Sequence, residues 1–340
     1  MKINKVPTKE FVTLLFLTLI SIAILTNSSF PSSELTITVK PENSTYYYRQ
    51  LVSIYGNVTY NNQLVEEGLV AVQVEDPDNE TIALRTVPAN SIPLQNWTVD
   101  IVSFISCDSD GNPKNTFQQG KNAYFKASVR NNAVYGSRRV ILTITLYDSD
   151  SSPFNKHCLI IPELPPKTTW TELVSLYIDE WVSTGSAVAY ANAYTDWPKN
   201  EGYAYCPEKS AVFTITEATT TSTNAVSSES SSLESGTGIF QVAFRLPLEA
   251  QLGTYIVSVS AYYKGWKAFS NTTFSHDFKM KEDIIYDHKI DIYDVVKVAS
   301  GYGSKGGEPD WDPEADITLP YGKIDIYDVV AVCGKYGTKY

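Results

Sequence analysis

The chain has 340 residues, a formal charge of −11 at pH 7 and 19% charged residues. Such a length gives room for two or three domains beyond any targeting segment, each able to bury a core of its own. An acidic balance with few clusters of Lys and Arg excludes a nucleic-acid binder, because phosphate backbones demand a basic surface, and makes divalent cations the natural charged partners.

The N-terminus places Lys2, Lys5 and Lys9 ahead of an apolar run over 11–25, and small and polar residues follow. That order is the signature of a secretory signal, so 1–33 reads as a signal peptide or as an N-terminal anchor left uncleaved. The run is short for a spanning helix of about 20 residues. With no second apolar run, the body is expected to be secreted or at the cell surface, touching membrane only through an uncleaved N-terminal segment. Triplets of the form N-x-S/T begin at Asn27, Asn43, Asn57, Asn79, Asn96 and Asn271, all glycosylation candidates of an exported chain. The cysteines are Cys107, Cys158, Cys206 and Cys333; Cys158 with Cys206 is the disulfide candidate, although four cysteines allow three pairings. None has CxxC spacing, so a zinc site or thioredoxin-like chemistry is unsupported.

From Leu35 the chain breaks into short β-prone runs: LTITVKP, QLVSIYGNVTY, GLVAVQVE, TIALRTV and NWTVDIV, punctuated by D-P-D-N and Y-N-N turns. Alternation over five or six residues is what a sandwich with one dry face requires. A first β-sandwich is expected over 35–104. The turn-rich D-S-D-G-N-P at 108–113 suggests the opening of a second, over 105–217, with AYFKASVRNN and VILTITLYDSD as adjacent antiparallel strands. The tract 218–236, rich in Ser and Thr, is too polar to build a core and reads as a linker or loop. Strand pattern returns over 237–278, a segment that completes the preceding sandwich or pairs with SAVFTIT across the linker. The region from Leu35 to Phe274 resembles the immunoglobulin-like and cell-adhesion-related sandwich modules carried in tandem by archaeal and bacterial surface proteins. Aromatics cluster at Tyr190, Tyr194, Trp197, Tyr203 and Tyr205. They serve either as core and cross-strand pairs or as a platform for a polysaccharide.

Near the C-terminus the octapeptide KIDIYDVV occurs twice, at Lys289–Val296 and Lys323–Val330, with the following Val, Tyr, Gly and Lys positions also kept, which marks an internal duplication. In a 12-residue calcium loop, side-chain oxygens come from positions 1, 3, 5, 9 and 12 and a carbonyl from position 7. Asp283, Asp287, Asp291 and Asp294 fall on positions 1, 5, 9 and 12, and the Lys289 carbonyl on 7; Ile285 occupies position 3 and His288 the usual glycine position. The second loop offers Asp316, Thr318, Asp325, Asp328 and the Lys323 carbonyl, keeps Gly322 at the turn, but carries one extra residue before it. Calcium is therefore expected, in the first loop before the second. Ile290 and Ile324 stand where paired loops exchange a short β-bridge. Ile292, Val295, Val296 and Ala299 recur at helical spacing, which reads as one buried stripe.

These residues, over 281–340, resemble a type I dockerin, whose duplicated D-x-N-x-D-G-x-I-N/D-x-x-D loop leads into a helix. The resemblance implies docking to a cohesin-like module on a scaffold or cell-surface protein. It also assigns partner recognition to the first helical positions, here Ile292 and Tyr293 with Ile326 and Tyr327, where identical pairs permit two orientations. The alternative is that the tail folds back on the preceding sandwich as a clasp. With three histidines, none in an HExxH, HxH or CxxCH setting, and without a GxSxG or Walker loop, no catalytic residue is assigned. The expected architecture is mainly β: tandem immunoglobulin-like sandwiches followed by a small α-helical dockerin-like domain. The expected role is a non-catalytic surface or extracellular protein in adhesion or assembly. The rivals are a carbohydrate-binding protein and a sandwich-fold glycoside or peptide hydrolase with a dockerin tail.

Overall fold

The computed structural model describes residues 34–47, 49–93, 96–217, 238–247, 250–278 and 280–339. The leader, Asn27 and the Ser/Thr-rich tract lie outside the described residues. Among the described residues the fold is mainly β, with two short α-helices near the C-terminus. Among the described residues no helix is long and apolar enough to cross a membrane.

Among the described residues four sheets enclose two main cores. In the first unit, Leu35–Pro41, Leu51–Tyr60 and Ile239–Arg245 form one sheet, to which Gln63–Leu64 adds an edge pairing. The facing sheet runs in the order Thr45–Tyr46, Trp266–His276, Gly253–Tyr263, Leu69–Glu75 and Thr81–Pro88. Tyr46, Ile54, Phe240, Phe244, Tyr255 and Phe274 fill the space between them. Gly56 is required here, since a Cβ on it would meet the Thr38 carbonyl oxygen at 1.9 Å and the Phe240 ring at 2.7 Å.

In the second unit, Thr169–Ile178, Lys121–Asn131 and Val99–Cys107 face a sheet of Pro153–Leu164, Arg138–Tyr147, Gly185–Tyr194, Lys209–Thr216 and Thr116–Gln118. Its core centres on Ile101, Phe125, Leu142 and Phe213, with the Phe125 and Phe213 rings meeting edge-on at 5.3 Å.

Two expected boundaries change. Val99–Cys107 pairs with Lys121–Asn131 from Val99 opposite Asn131 to Cys107 opposite Tyr124, so it belongs to the second unit and a boundary at 104/105 would cut a strand. The D-S-D-G-N stretch is a tight turn inside that unit: Asp108 accepts the N–H groups of Asp110 and Asn112. The strands over 237–278 complete the first unit, since Ile239–Arg245 pairs with Leu51–Tyr60 and Gly253–Tyr263 with Leu69–Glu75. SAVFTIT pairs with Gly185–Tyr194 and Thr116–Gln118 instead. The second unit is thus inserted into the first.

The inner sheets of the two units also pack on each other, through Leu69, Ala71, Leu84, Ile141, Tyr194 and Ala204. This second cover explains why all seven residues of Leu69–Glu75 are buried. Arg85 spans the seam. It donates to Glu208 through Nε at 3.1 Å and Nη2 at 2.6 Å and lies 3.6 Å from the Tyr190 ring centre, while Glu208 accepts the Thr86 N–H at 2.8 Å. Glu208 holds the guanidinium pKa above its ordinary value against the cost of burial.

Candidate docking surface

The C-terminal unit consists of two loop–helix halves, α1 at Ile292–Ser300 and α2 at Ile326–Gly334. The duplicated D-I-Y-D sets both helix starts. Asp291 and Asp325 are N-caps, accepting the N–H groups of Tyr293 and Tyr327, each at 2.8 Å. Three residues on, Asp294 and Asp328 accept the N-cap N–H, also at 2.8 Å, which closes a capping box in each copy. Their other oxygens reach back to the loop start: Asp294 to the N–H groups of Ile284 at 2.7 Å and Ile285 at 3.1 Å, and Asp328 to those of Ile317 at 2.9 Å and Thr318 at 2.8 Å. Aspartates three apart therefore brace each loop against its own helix, and the inner pair is fully buried.

The two halves interlock by exchange. Ile290 donates to the Thr338 carbonyl at 2.9 Å and accepts from Gly337 at 2.7 Å; Ile324 donates to Ser304 at 3.1 Å and accepts from Gly303 at 2.8 Å. Each loop thus pairs with the segment after the other copy's helix, placing Lys289 opposite Lys339 and Lys323 opposite Lys305. The expected bridges at Ile290 and Ile324 exist, but these two residues do not pair with each other. Both are buried, with Ile284, Val298, Ile317 and Val332.

The expected buried stripe is corrected. Because Asp294 must lie inside to reach the loop amides, the helix presents Asp294 and Val298 inward, and Ile292 and Val296 turn outward, 52% and 57% exposed. In α2, Ile326 and Val330 are exposed at 52% and 58%. Tyr293 and Tyr327 stand beside them at 65% and 67%, and Tyr302 and Tyr336 repeat the exposure after each helix. The four residues assigned to partner recognition lie in two equivalent apolar patches.

The loops face the other way. Tyr286 and His288 lie against Tyr47 of the first unit, with ring centres 5.8 and 6.2 Å away. Arg49 sits where all three units meet: it pairs with Asp150 of the second unit, donates to the Asp316 carbonyl at 3.1 Å, and lies 5.0 Å from the Tyr321 ring centre. Arg245 and Glu314 add an ion pair at 3.5 Å, and Tyr286 donates to Glu314. Asp316 is buried, one carboxylate oxygen lacks a hydrogen-bond partner, and burial pushes its pKa up to about 7. Asp148, beside Asp150, is likewise pushed to about 7 by burial and that neighbour.

Set against the needs of calcium, which takes six to eight oxygens, the donor set does not converge in this arrangement. Asp283 accepts from Asp287 and His288 at 3.2 and 2.9 Å, and Asp287 accepts from Lys289 at 3.0 Å. Asp291 and Asp325 are engaged as caps, and Thr318 donates its hydroxyl to Asp328 at 2.8 Å. Among the described residues no three acidic, histidine or cysteine side chains gather as a metal cage.

Elsewhere, Asn43, Asn79, Asn96 and Asn271 are exposed, and Asn57 is half-buried, accepting from the Thr38 hydroxyl at 2.8 Å. The Cys158–Cys206 pairing is not formed: Cys158 points outward from the edge strand Pro153–Leu164 and Cys206 is buried in the second core. Of the aromatic cluster, Tyr194 is fully buried, Tyr190 lies under Arg85, and Trp197 packs in the seam. Sequence reasoning missed Arg49, whose single positive charge in a Tyr-rich turn carries no motif.

No protein-family model matches the chain, and no curated protein matches it. Among solved structures it is similar to the C-terminal domain of wzt, at 10% identity and a TM-score of 0.30 over 38% of this chain and 86% of that one. It is similar to a CARDB domain from Pyrococcus furiosus at 13% identity and a TM-score of 0.22, over 36% and 92%. With a Bacteroides uniformis β-glucuronidase the values are 8% and 0.26, over 48% of this chain but 26% of that one. Scores this low assign no family.

Proposed function

We propose that this chain is an exported, non-catalytic protein of a cell surface or extracellular assembly. Its C-terminal unit docks onto a cohesin-type module, and its immunoglobulin-like β units act in adhesion or assembly and hold that docking face out. The observation that carries the reading is the duplicated apolar exposure of Ile292, Tyr293 and Val296 and of Ile326, Tyr327 and Val330. A helix free to rotate would bury these groups, since each large apolar side chain left in water forgoes about 1.5–3 kcal/mol. Two equal exposures of large apolar side chains suit a protein partner. The contacts made by the loops leave Ile292, Tyr293, Ile326 and Tyr327 exposed, so clasping and docking use different residues of one unit.

The test is calorimetric titration of the full chain against a panel of cohesin modules, with and without Ile292→Asp combined with Ile326→Asp. Saturable binding to at least one module, lost in the double variant while the thermal midpoint holds, supports the reading. Absence of binding across the panel, or binding indifferent to both charges, removes it.

A further inference from the structure

The seam between the two β units holds a cleft of about 440 Å³. That is within the roughly 300–1,000 Å³ of small-molecule sites, which favour joints between domains. Sequence placed Tyr203 and Tyr205 among a run of aromatics; the fold adds Trp97 from the same unit and Tyr262 from the other. Tyr203 stacks on Tyr262 with ring centres 4.8 Å apart and planes 10° from parallel, and Tyr205 lies tilted at 6.2 Å from Tyr203. The rings are half-buried; Tyr203 gives a face to Tyr262 and lies under Lys267, so Trp97 and Tyr205 are the rings left to line the cleft.

The electrostatics of this wall differ from those of the chain. The net charge is −11, yet no Asp or Glu lines the cleft, and two cations do, Arg138 and Lys267. Neither forms an ion pair with a carboxylate among the described residues, whereas the adjacent Arg139 is held by Asp196 at 2.7 Å. Lys267 stands opposite Tyr262 in the strand pair and reaches over the Tyr203 ring at 4.4 Å, which keeps its charge at the cleft. Asn96 and Thr98 supply amide and hydroxyl groups on the rim.

We propose that this cleft binds an acidic saccharide, one whose ring carries a carboxylate in the manner of a uronic acid. The apolar face of a pyranose packs on aromatic rings, its hydroxyls pair with Asn96 and Thr98, and its carboxylate meets Arg138 and Lys267. A polyphosphate is the poorer match, because it offers no apolar face to the aromatic rings. This site is separate from the docking face and does not depend on it.

The test uses the full chain made in a host that attaches no Asn-linked glycan, because Asn96 opens an N-W-T triplet at the rim. Galacturonate di- and trisaccharides, their neutral galactose counterparts, inorganic phosphate and ATP are titrated by calorimetry. Saturable binding of the acidic sugars, at least about tenfold tighter than the neutral ones and weakened at least about tenfold by Arg138→Gln with Lys267→Gln, is expected. Should the double variant fail to fold, Lys267→Gln alone, at an exposed position, is expected to weaken binding at an unchanged thermal midpoint. No saturation by about 10 mM, equal binding of neutral sugars, unaltered binding by the variants, or preference for phosphate or ATP overturns the proposal. Ile292→Asp with Ile326→Asp leaves saccharide binding intact, so failure here is distinguishable from failure of docking.

Discussion

Replacing Arg49 by Met removes a cation that touches all three units. Its partner Asp150 has a side chain with no exposed surface, accepts a hydrogen bond from Ser183 at 2.6 Å, and has its other carboxylate oxygen unpartnered. Breaking a buried pair on one side leaves an uncompensated charge and costs about 3–5 kcal/mol, whereas replacing both partners by neutral groups costs far less. Loss of the 3.1 Å bond to the Asp316 carbonyl adds about 1–3 kcal/mol at the tail, less whatever water regains. Urea unfolding of the full chain, followed by far-ultraviolet circular dichroism and by tryptophan fluorescence, reads these terms. Arg49→Met is expected to be less stable by about 4–8 kcal/mol, and Arg49→Met with Asp150→Asn to recover about 3–5 kcal/mol of that. Arg49→Met within about 0.5 kcal/mol of wild type, or no recovery in the double variant, would refute the view that this ion pair locks the units together.

The buried acids give a pH dependence with a definite sign. Asp316 titrates near 7 in the folded chain and near 3.8 unfolded, so the folded state retains a proton that the unfolded state releases, and stability falls as pH rises between those values. Asp316→Asn keeps an acceptor for Gly322 and lacks that proton; relative to wild type it gains stability from pH 4 to 7, on the order of 2–4 kcal/mol, and the gain is flat above. Denaturant midpoints at pH 5 and pH 8 check this, and a pH-independent difference contradicts it. Asp291→Ala and Asp325→Ala each remove an N-cap and are expected to lower stability by about 1 kcal/mol. Equal losses in the two copies are the outcome the shared geometry requires, as measured by thermal unfolding. Because the loop carboxylates are already met by backbone N–H groups, circular dichroism of the full chain in chelator and in excess calcium is expected to superimpose. A gain of helix on adding calcium would show that the loops rearrange around the ion.

Much of the strand content was legible because alternation in LTITVKP or SAVFTIT has one physical cause, a sheet with one dry face. Alternation failed at Leu69–Glu75, where a second sheet covers the face expected to be wet. Insertion of one unit into another left no local trace, since Leu51–Tyr60 and Ile239–Arg245 pair across the whole second unit. The duplication was plain in KIDIYDVV, and Ile292, Tyr293, Ile326 and Tyr327, which it picked out, are exposed. Which way the helix turns was not, because helical spacing counts apolar residues and overlooks that Asp294 has amides to satisfy inside. The same limit affects the aspartates as ligands: composition shows how many oxygens a loop has, and only geometry shows whether they point at N–H groups.

The duplication also makes the docking account directly testable. If the two helix patches are equivalent, either can engage the partner, and affinity for a cohesin module should survive the loss of one. The decisive measurement is the dissociation constant of three full-length variants: Ile292→Ala with Tyr293→Ala, Ile326→Ala with Tyr327→Ala, and all four together. The account predicts that each pair alone changes affinity by no more than about threefold, while the quadruple variant loses at least about thirtyfold, as two or more kcal/mol of buried anchor contact would give. A large loss from one pair with none from the other would mean that the patches are not equivalent. Unchanged affinity in the quadruple variant would contradict the account altogether.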